Sequence, residues 1–331
     1  MTPTQIYNCQ PTLTDSEVFD FCKTGYLMLE NVVADDINQR TTNYIEENGH
    51  RPLLNEDWFI EGIFQNPQAA GAVRSLLGAN FALPIKLPNH RVNCPMSSQN
   101  WHRDGGSRYG PQVNHLQVFY YPQDTPPEMG PTEILPGSHF FFSLQSWMGH
   151  YGTIRGAELT AAPAGSIFIT AYSIWHRRSK STATGWRNML KYIYWRTTAP
   201  KRDWIVEPDF ESGQPPNAKF SHPTHQQQHR NWFDAAEMYY WLCGGTEAFD
   251  NKVGHDQWPP GYPVPNWTPE NYHNFWTLEL FSDRMSNYST ASQLSPSIQS
   301  RDLDTLLAVC VCIISCFLSG PTHHRRGTGC R

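Results

Sequence analysis

The chain has 331 residues, enough for one large domain or a domain with an appendage. Only 17% of residues are charged, against 39% apolar and 13% aromatic, which excludes a charge-rich disordered chain and supplies a core. With 25 basic and 30 acidic residues the net charge is −5, so no nucleic-acid partner is expected, and 26 Pro with 23 Gly favour a loop-rich, strand-based enzyme over a helical bundle.

Thr14-Asp15 is placed to cap a helix over 16–23, with Glu17 in its first turn and Gly25 at its end. Tyr26–Leu29 and Val32-Val33 then read as extended, and Asp35-Asp36 opens a second helix reaching about residue 47, with Gly49 just beyond it. From 81 to 198 the pattern changes. Short strand-like runs at 88–94, 114–121, 132–135, 166–171 and 189–195 recur between Gly and Pro turns, several alternating polar with apolar as in Lys191-Tyr192-Ile193-Tyr194-Trp195. A polar, Pro-rich stretch over 208–224 leads into a helix predicted at 232–243.

The expected architecture is therefore mainly β with flanking helices: a catalytic domain over 1–210 with N-terminal helices, a helical and loop appendage over 211–290, and a tail over 291–331. The tail holds an apolar run from Leu306 to Leu318, shorter than the roughly 20 residues of a membrane-crossing helix. It reads as a helix packed on the domain, with membrane contact the less favoured alternative. The cysteines (Cys9, Cys22, Cys94, Cys243, Cys310, Cys312, Cys316, Cys330) form no Cys-x-x-Cys pair and read as reduced thiols of an intracellular, cytoplasmic protein. The N-terminus lacks the charged start and apolar run of a secretory signal.

The stretch that carries chemistry is Trp101-His102-Arg103-Asp104-Gly105-Gly106. Residues i and i+2 of an extended segment point to one side, so His-x-Asp aims an imidazole and a carboxylate at one point. A further histidine from another strand completes two His and one carboxylate on one face of an octahedron, the arrangement of non-haem Fe(II) oxygenases, with three positions left open. In a chain with 14 histidines a lone His-x-Asp arises by chance, so the neighbours decide. They are, in order, Gly130-Pro131, Leu135-Pro136-Gly137-Ser138-His139, Ala164-Gly165-Ser166 before a strand, Trp175-His176, and then Arg187.

Over roughly 14–200 this succession resembles the phytanoyl-CoA dioxygenase-like family, as does the opening helix followed by Gly25-Tyr26-Leu27-Met28-Leu29-Glu30; beyond about 210 the likeness ends. The resemblance implies a double-stranded β-helix (jelly-roll, cupin-like) core, with Fe(II) held by His102, Asp104 and His176. It implies 2-oxoglutarate as cosubstrate, its distal carboxylate on Arg187, and O2 as oxidant, with ascorbate supportive in vitro. The implied reaction hydroxylates a small organic substrate and releases succinate and CO2. Asn93 and Asn89 are further cosubstrate-contact candidates. Phe119 or Tyr120 supplies a pocket aromatic, depending on which motif anchors the register. His139 falls in a turn expected to satisfy backbone groups.

One departure stands out. Family members often carry Ser or Thr two residues after the distal histidine, where this chain has Arg178. That leaves open a non-catalytic binding module of the same fold. A hydroxylase of macromolecules and a zinc hydrolase stay open as well. The linear sequence contains no Lys or Arg cluster suited to the phosphates of CoA. The aromatics Trp101, Tyr109, Phe119, Tyr120, Tyr121 and Phe140 to Phe142 fit either an apolar pocket or ordinary core. Substrate identity and oligomeric state are not readable from the sequence.

Overall fold

The computed structural model describes residues 5–141, 143–210 and 223–245. The expectations for 246–331, the Leu306-to-Leu318 run among them, lie outside these residues. Helix α1 (Asp15–Thr24) begins at a capping box, in which Thr14 accepts from the Glu17 amide and the Glu17 carboxylate accepts from the Thr14 amide at 2.8 Å. It ends at Gly25, whose φ of 78° is left-handed; a Cβ there would stand 2.4 Å from His139 Nδ1, so only glycine fits. Helix α2 spans Asp35–Asn48. Val32-Val33, read as extended, instead lies in a turn that follows Asn31 at φ 52°, its two amides donating to the Gly165 carbonyl.

Short helical turns over 57–64 lead to α3 (Pro67–Leu77), neither of which the sequence pattern announced. Asn66 caps α3 by accepting from the amides of Gln68 and Ala69. Helix α4 (Pro223–Leu242) starts earlier than the 232–243 expected. Its Ala235, Ala236, Met238 and Leu242 join one core with α1 and α3 residues such as Val18, Phe21, Ala72 and Leu76.

The strands are β1 (Ile6–Tyr7), β2 (Tyr26–Leu29), β3 (Phe81–Ala82), β4 (Val92–Cys94), β5 (His115–Tyr121), β6 (Thr132–Ile134), β7 (Glu158–Leu159), β8 (Ser166–Ala171), β9 (His176–Arg178), β10 (Gly185–Arg187) and β11 (Leu190–Trp195). Six form an antiparallel sheet in the order β1-β3-β11-β5-β8-β2; β10 pairs with β4, and β7-β6-β9 make a third sheet. The two-residue strands β1, β3 and β7 and the three-residue β9 and β10 were not expected.

Alternation gives the large sheet two faces. Leu116, Val118 and Tyr120 of β5, Ile167 and Ile169 of β8, and Leu190, Tyr192 and Tyr194 of β11 face the helices in the main core. Gln117, Phe119 and Tyr121, with Phe168 and Lys191, take the other face. There Phe119 stacks on Phe168 at 4.2 Å, and the Tyr121 hydroxyl accepts from the Thr132 amide of β6. This second face carries the candidate site.

Behind the helices lies a closed ionic cluster. Asp15 is fully buried and accepts from Arg202 Nε and Nη2 (2.9 and 2.6 Å), Trp204 Nε1 (2.6 Å), the Glu207 amide (2.7 Å) and the Tyr239 hydroxyl (2.5 Å), tying α1 and α4 to the segment between them. Among the described residues no helix is long and apolar enough to cross a membrane.

Candidate metal centre and anion pocket

His102 lies outside any named strand but pairs with the first residue of β9. Its amide donates to the His176 carbonyl and the His176 amide to the His102 carbonyl, each at 3.0 Å. This antiparallel bridge sets the rings side by side with centroids 4.5 Å apart. One ligand atom from each of His102, Asp104 and His176 lies within 4.8 Å of the others. Groups holding one ion at adjacent positions about 2.1 Å away end roughly 3 Å apart, so ion binding draws the three together from this separation.

The tautomers suit a metal. His102 Nδ1 is 2.8 Å from the Asn100 carbonyl and His176 Nδ1 is 3.1 Å from the Ile174 carbonyl. A carbonyl only accepts, so each Nδ1 donates its proton and leaves Nε2 bare as a ligand. Burial, reinforced by the His102 ring, holds His176 well below the usual imidazole value despite the opposing Asp104, and keeps it neutral. Burial alone would raise the Asp104 carboxyl, but the Lys191 ammonium and the two histidines outweigh it and hold the group below the usual carboxylate range. Two neutral nitrogens and a carboxylate fit a divalent transition metal.

The ligand-bearing segments are held from behind. Trp101 and Trp175 are fully buried, Arg177 lies over Trp101 at 4.7 Å and Arg103 over Trp175 at 4.8 Å. Two residues that sequence reasoning missed act on Asp104 itself: Gln117 Nε2 and Lys191 Nζ each donate to its Oδ2 at 2.6 Å. The signal was available, since Lys191 and Gln117 are polar residues at inward-facing positions of alternating strands.

Arg187 at the end of β10 is only 1% exposed. Nη1 donates to the Gly130 carbonyl at 2.8 Å and Nη2 to the His90 carbonyl at 3.2 Å, while the buried Nε has no partner. No carboxylate among the described residues pairs with it, so it is not the surface charge pair that an isolated arginine usually makes. Burial pulls its guanidinium below the ordinary value, and the neighbouring Arg178 charge adds to that.

His102, His176, Arg187, Arg178, Lys191 and Phe119 line one pocket together with His90, Gln99, Thr132 and Met189. A cationic cluster that the linear sequence did not reveal is thus assembled from β9, β10 and β11. Phe119 meets His176 edge-on at 5.9 Å. Tyr120, one residue along, points to the opposite face, where its hydroxyl donates to Asn38 of α2 at 2.7 Å. Asn93 does not enter the pocket: it is exposed and pairs with Trp186, on the outward side of a hairpin whose inward side carries Arg187. Asn89 does not line the pocket either; its amide bonds Asn188 Oδ1 at 2.9 Å and its Oδ1 accepts from the Met189 amide. His139 is buried against the Cys22 carbonyl, away from the triad.

No protein-family model matches the sequence, and neither does any curated protein. Among solved structures the chain is similar to HygX from Streptomyces hygroscopicus with nickel and 2-oxoglutarate bound, at TM-score 0.48 and 15% identity over 57% of this chain and 88% of that one. It is also similar to SnoN, a non-haem α-ketoglutarate-dependent epimerase of nogalamycin biosynthesis, at TM-score 0.45 and 14% identity over 55% and 80%. SnoK, a carbocyclase of the same biosynthesis, gives TM-score 0.46 and 14% identity over 60% and 91%.

Proposed function

We propose that this chain is an Fe(II)- and 2-oxoglutarate-dependent oxygenase of the phytanoyl-CoA dioxygenase type, acting on a small organic substrate. On this reading the large sheet and the strands facing it form a double-stranded β-helix within residues 1–210, and α4 buttresses it. The observation that carries the reading is a His-Asp-His triad opening onto the same pocket as a buried arginine that has no acidic partner. A metal alone would not need Arg187. A metal with a chelating dicarboxylate needs both.

His102, Asp104 and His176 hold the iron, which, with 2-oxoglutarate and O2 bound, supplies the oxidising power for C–H hydroxylation. Arg187 receives the distal carboxylate through its free Nε–H and an adjacent Nη–H, a geometry that fits a planar carboxylate. Gln117 and Lys191 fix Asp104 through Oδ2 and leave Oδ1 for the metal. Phe119 and Phe168 wall the pocket from water with apolar surface. The test is conversion of 2-oxoglutarate to succinate by protein loaded with Fe(II) and supplied with ascorbate. Turnover that survives Asp104→Ala removes Asp104 from the ligand set.

A second reading is favoured by one contact. The Lys191 ammonium already neutralises Asp104 at 2.6 Å, as it would in a relative that binds an anionic ligand without metal. Calorimetric titration with Mn(II) separates the two: stoichiometric binding that His176→Ala eliminates supports the oxygenase, and its absence supports the ligand-binding relative.

A further inference from the structure

Alternation along β9 places His176 and Arg178 on the same side of the strand, and Arg178 pairs across with Thr132, also in the pocket lining. Arg178 Nη2 donates to the Ser97 carbonyl at 2.8 Å, while its buried Nε, like that of Arg187, has no partner. Neither guanidinium has a counter-ion among the described residues. The two acids close by are engaged, Asp104 by Lys191 and Gln117 and Glu133 by Arg177 at 2.6 Å. Two like charges with idle donors therefore share one half-enclosed pocket. Burying such a pair is costly unless an anion completes it.

Resting on the oxygenase reading above, we propose that Arg178 is a second positioning residue for the cosubstrate, so that Arg187 and Arg178 together clamp the distal carboxylate of a dicarboxylic 2-oxo acid. A carboxylate has two oxygens and about four acceptor sites, enough for both guanidiniums. A hydroxyl at position 178 would offer one neutral hydrogen bond. Arg178 adds a full charge, which sharpens selection for a 2-oxo acid with a second carboxylate over one without. The excess cation also explains why the pocket tolerates Lys191 held on Asp104: that ammonium is neutralised before the cosubstrate arrives.

The test is anaerobic calorimetry on the full chain loaded with Mn(II), titrated with 2-oxoglutarate and, separately, with 2-oxopentanoate, which has the same chain length but no distal carboxylate. Arg178→Met is expected to weaken 2-oxoglutarate about 10- to 100-fold, the range for one charge-assisted hydrogen bond, and to leave 2-oxopentanoate unchanged. Arg178→Lys is expected to restore part of the loss. Combining Arg178→Met with Arg187→Met is expected to cost less than the product of the single effects, because both grip one group. An equal loss for both acids means that Arg178 only holds the Ser97 loop, and no loss for either means that it faces another molecule; each overturns the proposal. If the parent chain binds no 2-oxoglutarate, or Arg187→Met leaves binding intact, the oxygenase reading itself fails, a result distinct from failure at Arg178 alone.

Discussion

Asp15 and Arg187 are both charged and both out of contact with solvent, yet their surroundings follow opposite rules. Asp15 accepts hydrogen bonds from four residues, with a bidentate arginine among them. Arg187 is met by two carbonyls and a second arginine, and keeps a donor idle. A charge whose partners are all supplied by its own chain is architecture. A charge denied its partner is a receptor, because the missing counter-ion must come from outside. The contrast predicts that changes at the two sites will separate stability from ligand binding.

The largest effect belongs to the metal ligands. His176→Ala is expected to reduce succinate formation to the level of protein-free controls and to abolish Mn(II) binding, while leaving the urea midpoint of the metal-free chain within the small range of a tolerated substitution. A large drop in that midpoint would show His176 to be a core histidine after all. Next comes Asp15→Ala, which strands Arg202 and its companions; breaking a buried ionic cluster costs about 3–5 kcal/mol, read as a lower urea midpoint with Mn(II) affinity per folded molecule unchanged. Arg187→Met is expected to do the reverse. Removing an uncompensated buried charge leaves stability equal or slightly higher, while the thermal shift given by saturating 2-oxoglutarate, about 2.7 kcal/mol at a hundredfold excess over Kd, disappears.

The two sites also differ in pH response. Burial raises the Asp15 carboxyl, but the bonds from Arg202, Tyr239, the Glu207 amide and Trp204 outweigh it, so the folded value lies below the ordinary one. A depressed carboxyl contributes stability that is fully present above the unfolded value of about 3.9 and lost as pH falls through the lower folded value. Asp15→Asn should flatten that acid limb of the unfolding curve, and an unchanged limb would assign it to other carboxylates. The smallest effect is local: Asn66→Ala, which uncaps α3, is expected to cost about 1 kcal/mol by urea unfolding and to leave ligand binding alone.

These contrasts also mark what was legible in the sequence. His102, Asp104, His176 and Arg187 were readable because each sits in a short motif whose order survives without the fold. Strand β8 matched its predicted bounds and β5 and β11 came within one residue, since their alternation is set by burial on a sheet that contacts helices on one face only. The strands β1, β3 and β7 were not readable, as two residues carry no period and exist only through their pairing partners. Choosing between Phe119 and Tyr120 needed the sheet register, and discounting Asn93 needed the pairing of β4 with β10. The cationic pocket was hidden because Arg178, Arg187 and Lys191 come from three different strands, and a charge count along the chain cannot show convergence.

The reciprocal amide bonds between His102 and His176 are made by the backbone alone and ask nothing of an ion. The two imidazoles are therefore brought together when the chain folds, not when the metal arrives, and loading releases little extra order. A protein built this way keeps its shape through cycles of stripping and refilling. Its output then follows the supply of free iron as a rheostat, while the amount of protein itself stays constant.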